Sequence, residues 1–200
     1  MTSPLQLDAR ELDALQEVAS IGCGHALTAL GRLLARRLDM DVPEAWVGQA
    51  EGAITEFLAC VGARLLAVAV RLEGLLEGEL VLALPERDAA RLATALGHPA
   101  GEGRFDEAAE SVLLESGNIV GSAFVSAIAG MVHGRLLLSV PRLARGGARD
   151  CLAALLPAGV TQIALATRFS CAALDLEGLV LVLPRPAQVT PLLARLRACC

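Results

Sequence analysis

The sequence predicts an α/β layer domain made of a duplicated unit whose halves share one sheet with pseudo-twofold symmetry, and three observations carry that prediction. The first is a spaced motif: Ser111-x₃-Glu115-x₂-Asn118 is followed after twenty-two residues by Pro141, and Asp13-x₃-Glu17-x₂-Ser20 is followed after the same gap by Pro43. The two copies stand ninety-eight residues apart, and four positions holding one register over that distance mark an internal repeat. The second is that helical and strand-like stretches alternate in the same order in each half, as a layered α/β domain requires. The third is that Leu80-Val-Leu-Ala-Leu-Pro85 returns as Leu179-Val-Leu-Val-Leu-Pro184, at an offset of ninety-nine. The chain, residues 1–200, therefore reads as one domain of two repeats, about 8–97 and 106–198.

Each half opens on a helical stretch, Glu11 to about Asp39 and Asp106 to about Gly134. Gly22 and Gly24, and again Gly117 and Gly121, interrupt these stretches, which leaves open one bent helix or two packed helices in each. Pro43 and Pro141 are expected to end them, because a proline ring breaks an ongoing helix. Strand character follows at Trp46–Val47, Ile54–Cys60, Leu65–Leu72 and Glu79–Leu84 in the first half. In the second half it falls at Ile163–Phe169, Ala172–Leu176 and Leu179–Leu183. A helix closes each half, Arg87–Leu96 and Gln188–Ala198. Gly97–Gly103 has the Gly and Pro density of a short connection.

Composition excludes several functions. Aromatic residues make up 2% of the chain against 54% apolar, so the core is aliphatic and a base-stacking platform is missing. The net charge is −5 and no basic cluster is present to neutralise a phosphate backbone, which sets nucleic acid aside. The uncharged run between Glu115 and Arg135 is about as long as a bilayer crossing. It holds Ser116, Asn118, Ser122, Ser126, His133 and four glycines, and is read as a packed helix with no membrane span. The first twenty residues lack a basic stretch followed by an apolar one, so no secretory signal is read and a cytoplasmic protein is expected. Cysteines 23, 60, 151, 171, 199 and 200 show no zinc-ligand spacing and are read as small hydrophobes in a reducing compartment. Neither glycine-rich spot has the lysine or spacing of a phosphate loop.

The chemistry lies in the motif. At 100° per residue, Glu115 falls about 40° to one side of Ser111, Asn118 about 20° to the other, and Ser122 about 20° from it. These four form one polar seam on a helix otherwise apolar. A carboxylate beside an amide is no nucleophile pair. It can, however, grip a cation and orient a water, since the amide end offers one acceptor and two donors. Phosphoryl transfer depends mostly on such positioning, and an amide that aims the attacking water is one established solution. The competing reading is a solvated helix face.

The double motif resembles the signature of the CheC-type chemotaxis phosphatases, the CheC/CheX/FliY family: Asp or Ser, three residues, Glu, two residues, Asn, then twenty-two residues and Pro. Ser111, Glu115, Asn118 and Pro141 match it throughout, and Asp13, Glu17 and Pro43 match with Ser20 in place of Asn. The resemblance implies a CheC-like α/β (α+β) pseudo-dimer with two long motif-bearing helices packed on one mixed sheet. It further implies a hydrolase acting on the aspartyl phosphate of a CheY-like response regulator. Glu115 would bind the regulator's lysine and Asn118 would position the water, with Ser111 and Pro141 supporting the motif. It implies no cofactor of the protein's own, with Mg²⁺ expected on the partner receiver. Ser20 lacks the planar acceptor-plus-donor end, so the site of Asp13, Glu17, Ser20 and Pro43 is expected to be degenerate. The resemblance also leaves two alternatives: a non-catalytic adaptor binding a response regulator or the receptor deamidase CheD, and a flagellar-switch component like FliY. The second repeat is expected to leave no room for a further switch-type domain.

Overall fold

Two helices of twenty-six residues, α1 (Ala9–Leu34) and α4 (Glu107–Val132), dominate the computed structural model, which describes residues 7–47, 50–101, 103–155 and 163–199. Both start on an aspartate. Asp8 accepts from the Glu11 N–H in a reciprocal capping box, and Asp106 accepts from the Ala109 N–H. Such caps satisfy donors that the first helical turn leaves unpaired. Both helices end on a left-handed residue, Ala35 and His133, and not at the prolines, which come eight residues later. The expected proline stop is thus replaced by a backbone cap of the kind that closes many helices. Each stretch is one continuous helix.

After α1 come β1 (Asp39–Met40), β2 (Glu44–Val47), α2 (Ala50–Val61), β3 (Leu65–Gly74), β4 (Gly78–Pro85) and α3 (Glu86–Ala95). After α4 come β5 (Leu136–Leu138), β6 (Arg142–Gly146), α5 (Ala148–Leu155), β7 (Ile163–Cys171), β8 (Leu176–Pro184) and α6 (Pro186–Cys199). The strands join in one eight-stranded sheet in the order β1-β7-β8-β4-β3-β5, with β2 also on β7 and β6 also on β3. Among the described residues every pairing is antiparallel, so the sheet is not the mixed one expected. The reason is local: β3–β4 and β7–β8 are hairpins with short connections, which cannot make parallel neighbours.

The sheet is covered on both faces. Helices α1, α4, α3 and α6 bury Leu15, Leu30, Leu113, Phe124, Leu92 and Leu192 against one face. Helices α2 and α5 bury Ile54, Leu58, Cys151 and Leu152 against the other. The α2 helix corrects the expected strand Ile54–Cys60: Ile54 and Leu58, four residues apart, share its buried face. A short apolar run of that kind is ambiguous between strand and helix. The expected strand Ala172–Leu176 is instead a 3₁₀ turn, Ala172–Leu174, closed by left-handed Asp175, and only Leu176 enters β8. Since Cys171 pairs with Leu176, the residues between them make the hairpin loop.

The two leucine-rich strands are not equivalent residue for residue. Leu80, Leu82 and Leu84 face the α1/α4 layer, whereas Leu179, Leu181 and Leu183 face α2 and α5. The sequence match at ninety-nine therefore joins opposite faces, because an odd change of register flips every side chain.

Candidate functional site

Buried positions of α1 recur in α4 ninety-eight residues on: Leu15 with Leu113, Val18 with Ser116, Cys23 with Gly121, Ala26 with Phe124, Leu30 with Ile128 and Leu34 with Val132. The helices therefore present corresponding faces outward, and these faces carry the motifs. On α4, Ser111, Glu115 and Ser122 are exposed and Asn118 is half-buried, as the 3.6-residue period places them. On α1, Asp13 and Glu17 are exposed and Ser20 is half-buried. Among the described residues, neither the Glu115 side chain nor the Asn118 side chain engages a hydrogen bond or ion pair. Both ends are free for a partner.

Glycine seats the second motif helix. A Cβ on Gly117 would stand 2.4 Å from Val68 Cγ1 on β3, so only glycine lets α4 lie this close to the sheet. On α1, Gly22 leaves room for the Phe124 ring of α4, to which a Cβ would come within 2.4 Å. The glycines next to the motifs thus serve close packing. Ser116 is buried between Glu115 and Gly117 and donates to the Val112 carbonyl at 2.8 Å, which satisfies its hydroxyl within the helix.

The twenty-two-residue gap has a geometric meaning. Leu138 packs where a Cβ on Gly121 would sit, and Arg145 pairs with Glu110 at 3.6 Å. The chain from β5 into β6, which holds Val140 and Pro141, therefore runs back along α4 between these two contacts. In the first half the contact is direct, with Gln16 Nε2 donating to the Pro43 carbonyl at 3.2 Å. Each motif proline flanks its own helix. A valine precedes it in both halves, Val42 and Val140, a recurrence readable from sequence but not singled out there.

The first site opens on a groove of about 630 Å³ lined by Ser20, Gly24, His25 and Thr28 of α1 and by Ala123 and Ser126 of α4. Among the described residues no three His, Cys, Asp or Glu side chains gather as metal ligands would. Cys23, Cys151 and Cys171 are buried and free, while Cys200 lies outside the described residues. Burial pushes the Cys23 thiol up to about 11, with the Thr167 hydroxyl pulling the other way. It pushes Cys151 up to about 11 as well, with Asp150 and Glu86 adding to the rise. Such thiols are not nucleophiles at neutral pH. By length and composition alone α4 could cross a membrane, but here it is packed on α1 and β3.

Residues 11–46, which hold Asp13, Glu17, Ser20 and Pro43, match the model of the CheC-like family. The chain is 29% identical over 160 residues to the CheY-P phosphatase CheC of Bacillus subtilis, covering 76% of this chain and 73% of that protein. The fold is similar to Thermotoga maritima FliY, with a TM-score of 0.73 at 17% identity over 97% of this chain and 99% of that one. It is similar to a chain of the CheX–CheY–BeF₃–Mg²⁺ complex of Borrelia burgdorferi, with a TM-score of 0.58 at 18% identity over 85% and 99%. The middle domain of FliM from H. pylori gives 0.64 at 9% identity over 94% and 99%. At these identities the solved structures speak to the fold alone.

Proposed function

We propose that this chain, which is similar to members of the CheC/CheX/FliY family, is a phosphatase that stimulates hydrolysis of the aspartyl phosphate of a CheY-like response regulator at Glu115 and Asn118. The observation that carries this reading is that a carboxylate and an amide, one turn apart on a well-seated helix, lie exposed and half-exposed with no side-chain partner among the described residues. The Glu115 carboxylate pairs with the receiver's lysine and fixes the two proteins in register. The Asn118 amide accepts a hydrogen bond from a water and holds its oxygen toward phosphorus. Water then attacks, the phosphorus–oxygen bond to the receiver's aspartate breaks, the carboxylate is regenerated and inorganic phosphate leaves. Catalysis of this kind is positioning and electrostatics, with no covalent step on the phosphatase. Mg²⁺ stays with the receiver. One relative in the fold comparison is held with CheY, BeF₃ and Mg²⁺, the BeF₃ standing in for a phosphoryl group.

The Asp13–Glu17 site, which ends in Ser20, docks a receiver without aligning the water. A misplacement of about 1 Å costs on the order of 10²-fold in rate. That loss of the amide also favours a second reading, a non-catalytic adaptor for a response regulator or for CheD.

The test is the lifetime of a phosphorylated receiver with and without the protein. Asn118→Ala is expected to stay folded and to lose stimulated decay by about 10²-fold. Undiminished decay would remove Asn118 from the mechanism. Binding with no effect of the wild-type protein on the lifetime would leave the adaptor.

A further inference from the structure

We propose that Val140 is the apolar contact that docks the phosphorylated receiver beside Glu115 and Asn118, with Val42 its counterpart at the first site; this rests on the phosphatase reading above. Val140 is 82% exposed and Val42 83%, far beyond Leu137 at 57% and Val47 at 40%, the next large apolar residues on the described surface. A single exposed aliphatic side chain is ordinary on any protein. Here it occurs twice, ninety-eight residues apart, each time directly before the motif proline, on a connection tied to Gln16 of α1 in the first half and lying between the Leu138–Gly121 and Arg145–Glu110 contacts with α4 in the second.

The backbone beneath these valines is tied down. The Ser139 N–H donates to the Arg71 carbonyl at 3.0 Å and the Arg71 N–H donates back to Ser139 Oγ at 2.9 Å. Ser139 Oγ also donates to the Val140 carbonyl at 3.1 Å. At the first site the Pro43 carbonyl is held by Gln16. Proline after each valine restricts the valine to extended backbone. An aliphatic group held outward on an ordered connection loses little freedom on being covered, which suits it to a contact.

The seam it flanks needs such a contact. Ser111, Glu115, Asn118 and Ser122 exchange water for partner groups at small net gain, so they orient better than they hold. Interfaces take their hold from apolar side chains desolvated near the reacting or recognised centre. The two halves also differ in the right direction. The second half carries exposed Leu137 three residues before Val140, whereas the first carries Asp39 at that place, paired with Arg37 at 3.0 Å.

The experiment titrates the full-length protein against a phosphorylated CheY-like receiver and reads phosphate loss. Val140→Asp is expected to raise the half-saturating concentration about ten-fold and leave the rate at saturation unchanged, as loss of one buried valine contact predicts. Val140→Ile should behave as wild type, and melting temperature should not move for either. An unchanged half-saturating concentration in Val140→Asp, alongside an Asn118→Ala protein that has lost activity, overturns the docking role and leaves the phosphatase reading standing. A fall in the saturating rate alone overturns it too. Full activity in Asn118→Ala removes Asn118 from the mechanism, and a wild-type protein that binds the receiver without shortening its phosphate lifetime marks failure of the phosphatase reading itself.

Discussion

The two motif helices are built alike and finished differently. α1 and α4 have the same length, start on aspartate caps, end on left-handed residues and bury corresponding positions. Yet α4 ends its motif in an amide and α1 in a hydroxyl, and α4 sits on glycine where α1 carries Ala19. The same positions are buried in both halves although their residues differ, as Cys23 against Gly121 and Ala26 against Phe124 show. On the exposed seam the carboxylate recurs as Glu17 and Glu115, and the change that alters chemistry is Ser20 against Asn118.

The largest stability effect should come from removing that difference in packing. Gly117→Ala would place a methyl 2.4 Å from Val68 Cγ1 and 2.9 Å from Val68 Cβ, so the helix or the strand must shift. Overpacking of this kind costs about 1–3 kcal/mol, read as a lower urea midpoint. Val68→Ala in the same protein should recover part of the loss. If Gly117→Ala leaves the midpoint unchanged, α4 is not seated as closely on β3 as described.

A smaller effect separates the helices by pH. Cys23 in α1 stands where α4 has Gly121, and burial raises its thiol from about 9 to about 11. A thiol whose folded value is raised keeps its proton longer in the native state than in the unfolded chain. Its contribution is therefore full below about pH 9 and is lost as pH rises toward about 11, by the linkage of proton binding to folding. Between pH 7 and pH 10 the protein should lose about 1 kcal/mol on this account. In Cys23→Ala the slope of stability against pH above 9 should be shallower, measured by denaturant titration. An identical slope would assign the alkaline loss elsewhere.

The seam on α4 was legible in sequence because a helix repeats every 3.6 residues and the polar positions obey that period. The glycines were legible as packing residues, though not which strand they met. The helix at Ile54 was not legible, since apolar residues on a short helix and on a short strand look alike. Nor was the slip between the leucine-rich strands. Both are buried on both faces, so no polar alternation records which side each leucine takes. Val42 and Val140 were visible as a repeated Val-Pro pair. Their exposure depends on how the chain returns beside its helix, which is a tertiary fact.

The smallest effect tests the comparison most directly. Ser20 lies at the edge of an open groove, with Gly24 and Thr28 on its own helix and Ala123 and Ser126 across from it, so an asparagine there has room. Asp13 and Glu17 are already exposed on the same face, and Pro43 is already tied to α1. Ser20→Asn should thus supply the one missing group. In an otherwise wild-type protein the gain is at most about two-fold, since two equal sites replace one. The sharper measurement places Ser20→Asn in the Asn118→Ala protein, where any stimulated loss of receiver phosphate must come from the first site. Recovery would show that the halves differ functionally by a single side chain. No recovery, with the receiver still bound, would mean that aligning the water also needs what only the second half retains, and the exchange of Asp39 for leucine beside Val42 would be the next substitution to combine.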